Sequence, residues 1–116
     1  MIPLVDGDIE FGGEPSFSDA TLYVRLEDVS EADAPAKVVS EYVSRGVTVN
    51  PETAETVTFT LTGEAPDPTA SYSVRAHLDV DGDGQVSAGD FISTQSYPVL
   101  TSGHPSRVSV LVRPVR

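Results

Sequence analysis

Asp79-Val80-Asp81-Gly82-Asp83-Gly84-Gln85-Val86-Ser87-Ala88-Gly89-Asp90 is the stretch of this sequence whose residue types and spacing suit metal chemistry. Calcium is a hard cation that takes six to eight oxygens at about 2.3–2.6 Å. Carboxylates at the first, third and fifth positions, Asp79, Asp81 and Asp83, converge on one centre only if the chain turns sharply. Gly84, at the sixth position, permits that turn because it has no Cβ to clash. Gln85 then offers its backbone carbonyl, Ser87 holds a bridging water, and Asp90 closes the shell. Val86 is expected to point inward and anchor the loop to the core, with Phe91 packing behind Asp90. This is the spacing of an EF-hand calcium loop. It predicts one Ca2+ bound through Asp79, Asp81, Asp83, Gln85, Ser87 and Asp90. The plainer alternative is a solvated acidic turn in which an Asp-Gly pair serves a hairpin. Mutual repulsion of four carboxylates in one loop favours the cation.

Two departures shape what the loop can do. Asp90 stands where the pattern usually has a bidentate Glu, and its shorter arm predicts only modest selectivity over magnesium. A strand pattern, Tyr72 to Leu78, enters where an EF-hand has a helix, and Thr94, Ser96 and Pro98 argue against a long exit helix. The loop is therefore expected in a hairpin, as a structural clip that pins two strands rather than a sensor that opens helices.

The elements that must position it are strands. Ala20 to Glu27 alternates apolar and polar residues, as do Val57 to Thr62, Tyr72 to Leu78 and Arg107 to Arg113. Side chains on a strand alternate between faces, so each run has one core face and one wet face. Leu4 to Phe11 is a further strand, and so is Phe91 to Tyr97, ended by Pro98. Ala36 to Ser44 suits a helical stripe (Val38, Val39, Tyr42, Val43) as well as a strand; its strand neighbours and its Val and Tyr content tilt it to strand. Turn residues separate the runs at Gly12-Gly13-Glu14-Pro15, Asp33-Ala34-Pro35, Asn50-Pro51 and Gly63 to Pro68. The expected fold is all-β: one domain over residues 1–116, an antiparallel two-layer β-sandwich of about seven strands.

Composition narrows the partners. The net charge is -11, from 18 acidic and 7 basic residues, so nucleic acid and anionic membrane surfaces are poor partners. Cysteine is absent, which excludes disulfides and thiolate metal sites. No run approaches the ~20 apolar residues of a membrane span. The Met1 to Val5 start has no basic residue and reaches Asp6 and Asp8 at once, unlike a signal peptide. Either the protein is cytoplasmic or the chain is what remains after a targeting segment is removed; both stay open.

No catalytic constellation accompanies the loop. His77 alternates with strand residues and is expected on the surface, and His104 sits in a turn. The acids Glu27, Asp28, Glu31 and Asp33 read as a solvated edge. There is no nucleophile elbow, phosphate loop or His-Glu-x-x-His, so no enzyme is expected.

Val24-Arg25-Leu26-Glu27-Asp28-Val29-Ser30, followed by Ala32-Asp33-Ala34-Pro35-Ala36, resembles a segment of the YbaY/YscW lipoprotein family. Tyr72 to Leu78 is similar to that family's next strong strand, and Tyr97-Pro98-Val99-Leu100-Thr101-Ser102-Gly103 to its closing turn. The resemblance runs from about Gly7 to Val112 and carries strand and turn signatures, not a catalytic motif. It implies a β-sandwich of the cell envelope or periplasm, anchored through a lipidated cysteine that these residues lack. One branch comprises the pilotins, chaperones of type III secretion secretins. The calcium loop stands where the family usually has a short hairpin.

Two functions follow as expectations. The first is a calcium-binding, non-catalytic accessory or binding module of the envelope, chaperone-like, with membrane contact only through a lipid anchor. The alternative is an extracellular adhesion or carbohydrate-binding sandwich that uses calcium structurally. An exposed aromatic pair, for which Tyr23 and Tyr42 are the candidates, would favour carbohydrate; an apolar groove would favour a peptide or helix.

Overall fold

The computed structural model describes residues 2–13, 15–31, 33–50, 52 and 56–115. Glu14 and Pro51 of two predicted turns, and Ala32 of the family-like segment, lie outside the described residues. The strands are β1 (Ile2–Phe11), β2 (Phe17–Asp28), β3 (Lys37–Val49), β4 (Val57–Gly63), β5 (Tyr72–Asp79), β6 (Phe91–Ser93), β7 (Pro98–Val99) and β8 (Arg107–Pro114). No helix occurs among the described residues. The ambiguous Ala36 to Ser44 stretch is the greater part of β3, so its β-branched residues prevail over their helical spacing.

The two-layer sandwich gives way to one sheet, ordered β3-β2-β5-β6-β8-β1-β4, with β7 also on β5. The sheet curls on itself until its two edge strands meet, and Ser40 Oγ on β3 donates to the Thr62 carbonyl on β4 at 2.5 Å. The result is a nearly closed barrel. Its cause lies in β2, whose pairing with β3 shifts register at Phe17/Ala20, Ala20/Leu22 and Leu26/Glu27. Extra residues of this kind bend a strand and increase its twist, which lets one sheet cover its own core.

The expectation of a wholly antiparallel sheet is also corrected. β1 pairs β8 in parallel, from Asp6 opposite Arg107 to Phe11 opposite Val112. Its other edge takes β4 antiparallel. Alternation along a strand fixes which side chains face the core but not which strand lies beside it.

The predicted strand Phe91 to Tyr97 stops at Ser93, because serine hydroxyls take over the ladder on β5. Ala76 N donates to Ser93 Oγ at 3.0 Å and Tyr97 N to Ser73 Oγ at 3.1 Å. Val74 N donates to the Tyr97 carbonyl at 3.1 Å, and the chain rejoins β5 as β7. Pro98 begins that strand rather than ending the previous one, a position where a missing N–H is tolerated.

Leu22, Leu26, Leu61, Leu78, Val5, Val24, Val74, Val99, Val110 and Val112 are fully buried inside the barrel. Each such side chain contributes roughly 1.5–3 kcal/mol through burial. At one end Phe11, Phe17 and Phe91 meet with ring centroids 5.6–5.8 Å apart. Phe91 follows Asp90 directly, as expected, so this aromatic cluster underlies the acidic hairpin between β5 and β6.

Candidate functional site

The hairpin brings the predicted carboxylates together. Asp79, Asp81, Asp83 and Asp90 each present an oxygen within 4.8 Å of the others, about the diameter of a calcium shell. Asp79 and Asp90 are buried, at 2% and 0% exposure, whereas Asp81 and Asp83 are exposed. Gly82 and Gly84 have φ of 75° and 77°, the left-handed conformation that glycine adopts without penalty. Their amides donate to Asp79 Oδ1 and Oδ2 at 3.0 and 2.8 Å. Further out, Asp83 N donates to Asp81 Oδ1 at 3.3 Å and Gln85 N to Asp83 Oδ1 at 2.9 Å. The loop thus folds round its own carboxylates, which its backbone amides cap.

Ser87 is half-buried, and its hydroxyl donates to Asp81 Oδ2 at 2.7 Å. That bond, with a further one involving Asp79, holds the Asp81 carboxyl at about 2, below the ordinary 3.8. Gln85 is exposed, so its side chain is free of structural duty to the core, as the motif leaves it.

Two expectations about the loop are corrected. Val86 is 55% exposed and does not anchor the loop. The anchoring is done instead by half-buried Val80, which packs on the core, and by backbone bonds to the C-terminal strand end. Gly89 N donates to the Val115 carbonyl at 3.1 Å, and Val115 N to the Asp90 carbonyl at 2.8 Å. His77 is not a free surface residue. Its side chain is 14% exposed and its Nε2 lies 2.9 Å from Asp90 Oδ2. Its ring stacks on Tyr23 at 5.9 Å. Asp90 is met by Val80 N on Oδ1 at 2.9 Å and by Ser87 N on Oδ2 at 3.2 Å. His77 also forms a cluster with Asp79 and Asp90 whose ligand atoms fall within 4.8 Å. Sequence spacing missed it because the contact crosses the hairpin, from β5 to the residue before β6.

Glu27, read as part of a solvated edge, is buried at 9% exposure and accepts from Arg75 Nε at 3.1 Å. Asp28 keeps the expected surface role and receives the Ser30 hydroxyl and amide, which lower its carboxyl from 3.8.

A second feature was invisible in the sequence. Where β3 and β4 meet without a full ladder, a groove of about 590 Å³ opens, lined by Leu4, Leu26, Val39, Ala65, Tyr72 and Leu100 among others. Its residues come from six separate parts of the chain, so no local pattern could reveal it; only the adjacent exposed pair Val38 and Val39 hinted at an unpartnered edge. The aromatic pair proposed for carbohydrate does not form. Tyr23 lies opposite Val43 while Val24 lies opposite Tyr42, which places the two rings on opposite faces of the sheet.

A family model described as a type III secretion system lipoprotein chaperone (YscW) matches residues 5–112. Among solved structures, an alternative pilotin from the type II secretion system of Vibrio cholerae is similar at 27% sequence identity with a TM-score of 0.77. The match covers 97% of this chain and 96% of that one. No curated protein matches the chain.

Proposed function

We propose, from the premise that the chain belongs to the YscW family of type III secretion lipoprotein chaperones, that it is a non-catalytic secretion chaperone of the bacterial cell envelope and that its partner is a secretin. The observation that carries this reading is the near end-to-end likeness to a secretion pilotin, in fold and in sequence together. The seam groove supports it, being a concave cleft of mixed polar and apolar lining, of a size that accepts a protein segment's side chains. The absence of an aromatic platform from Tyr23 and Tyr42 counts against the carbohydrate-binding alternative. Attachment to the outer membrane would run through a lipid anchor outside this cysteine-free sequence. The test is titration of the purified chain against the cognate secretin; absence of binding rejects the reading.

Within that role, we propose that the β5–β6 hairpin binds one Ca2+ as a clip at one end of the barrel. Support comes from the loop spacing, from the four convergent carboxylates and from the positive φ at Gly82 and Gly84. Asp79, Asp81, Asp83 and Asp90 would supply side-chain oxygens, Gln85 its carbonyl, and Ser87 a water. The second reading is a self-capped acidic hairpin, favoured by the backbone donors that already meet Asp79 and Asp90. Calorimetric titration separates the two: heat with unit stoichiometry supports the clip, and none supports the self-capped hairpin.

A further inference from the structure

The closing turn of the family-like segment contains a backbone feature that the secretin-chaperone reading leaves unused. Leu100 has a φ of 74°, and Thr101 N donates back to the Val99 carbonyl at 2.9 Å. This is the positive-φ γ-turn, the rare and strained kind. Glycine would adopt it freely, yet a half-buried leucine occupies it. The surroundings over-determine the strain. Leu100 N donates to the Pro105 carbonyl at 3.0 Å, His104 N to the Thr101 carbonyl at 3.0 Å, and Thr101 Oγ1 to the Ala70 carbonyl at 2.6 Å. The side chain that this turn presents stands in the wall of the seam groove beside Leu4, Leu26 and Tyr72.

The charge of the groove defines what can enter it. Its charged lining residues are Glu41 and Glu64, with no lysine or arginine. Arg25 Nε engages Glu41 at 2.6 Å, whereas Glu64 has no ion-pair partner among the described residues. A segment with an apolar side chain for the Leu100 wall and a cation for Glu64 fits; an acidic segment does not.

We propose that Leu100 and Glu64 are the specificity-determining pair of the seam groove, which receives an apolar segment of the secretin carrying a lysine or arginine beside its anchor residue. The proposal rests on the secretin-chaperone reading and adds the place and chemistry of the contact. Leu100→Gly removes the side chain and relieves the strained φ at once, so the relief offsets part of the core packing lost with the side chain.

Fluorescein-labelled peptides tiled along the cognate secretin, and the whole secretin, are titrated against wild type, Leu100→Gly and Glu64→Lys. One tile with an apolar residue and a neighbouring Lys or Arg is expected to bind wild type. Leu100→Gly should stay folded and bind that tile about ten-fold or more weakly, as expected for a central anchor. Glu64→Lys should weaken the same tile without changing the melting temperature, and it decides the matter alone if Leu100→Gly fails to fold. Unchanged affinity in Glu64→Lys, or in a folded Leu100→Gly, overturns the proposal. So does a wild-type dimer that Leu100→Gly abolishes, since a second copy would then fill the groove. A secretin that binds wild type and both variants equally overturns the groove alone; a secretin that does not bind wild type overturns the reading beneath it.

Discussion

Gly7→Ala tests the feature of the fold that alternation could not foretell, the parallel pairing of β1 with β8. Gly7 is buried on β1 between Phe59 of β4 and Val108 of β8. A Cβ there would lie 2.0 Å from the Val108 carbonyl oxygen and 2.8 Å from Phe59 Cζ. Non-bonded carbon contacts favour about 3.5–4.0 Å, so more than ~1 Å of separation is required. The Phe59 ring can turn aside, but the Val108 carbonyl cannot move without disturbing the ladder. Overpacking costs about 1–3 kcal/mol, and a displaced, unsatisfied backbone group adds about 1–3 kcal/mol. For 116 residues, an unfolding entropy near 2.1 cal/mol/K per residue gives about 0.24 kcal/mol/K, or ~4 °C for each kcal/mol. Gly7→Ala is therefore expected to lower the melting temperature by about 8–24 °C, read by circular dichroism and by urea titration. Gly13→Ala is the control. Its φ is 85° but a Cβ would meet nothing within 4 Å, so the backbone penalty alone, about 1–2 kcal/mol, applies. A Gly7→Ala melting temperature within ~3 °C of wild type would refute the β1–β8 register.

The other expectations concern the hairpin and the acids. Asp90→Ala removes the acceptor for Val80 N, Ser87 N and His77 Nε2 in a fully buried position, and should destabilise the fold by about 2–5 kcal/mol even without calcium, measured by urea denaturation in chelator. A chelator should lower the melting temperature of wild type while leaving the far-ultraviolet β spectrum unchanged at 25 °C. At free calcium of ~100 times Kd the binding contributes about 2.7 kcal/mol, and Asp81→Ala should abolish that difference. Millimolar magnesium should visibly weaken calcium binding, because Asp90 is one methylene shorter than the usual closing Glu. Asp28 and Asp67 are lowered from 3.8 by Ser30 and Thr69 respectively, and Asp81 is lowered to about 2 by Ser87. Their folded forms bind protons less readily than their unfolded ones, so their stabilisation is complete above the unfolded value and lost as pH falls through the folded values. The melting temperature in chelator should fall between pH 4 and pH 2, and Asp28→Ala should flatten that fall, as followed by thermal melts at each pH.

How far the sequence spoke depends on whether the information was local. Strands β1, β2, β4, β5 and β8 were legible because a half-buried strand writes its burial with period two, as in the alternation through Val57–Gly63. The loop was legible because its carboxylates, glycines and turn bonds lie within a few residues of one another. What escaped was long-range. Closure into a barrel depends on bulges in β2 that alternation does not mark, and the groove on two strand edges far apart in the chain. Val86 was expected inward because the eighth position of the loop pattern carries an inward apolar residue; in this hairpin it turns outward. His77 was read from its own strand, yet its partner Asp90 comes from beyond the loop.

The most direct measurement of the central claim is the amount of multimeric secretin in the outer-membrane fraction of cells with and without this protein. The account predicts that the multimer falls severalfold in its absence and returns when the lipid-anchored wild-type chain is supplied. Secretin that reaches the outer membrane and assembles to the same level in both would contradict it.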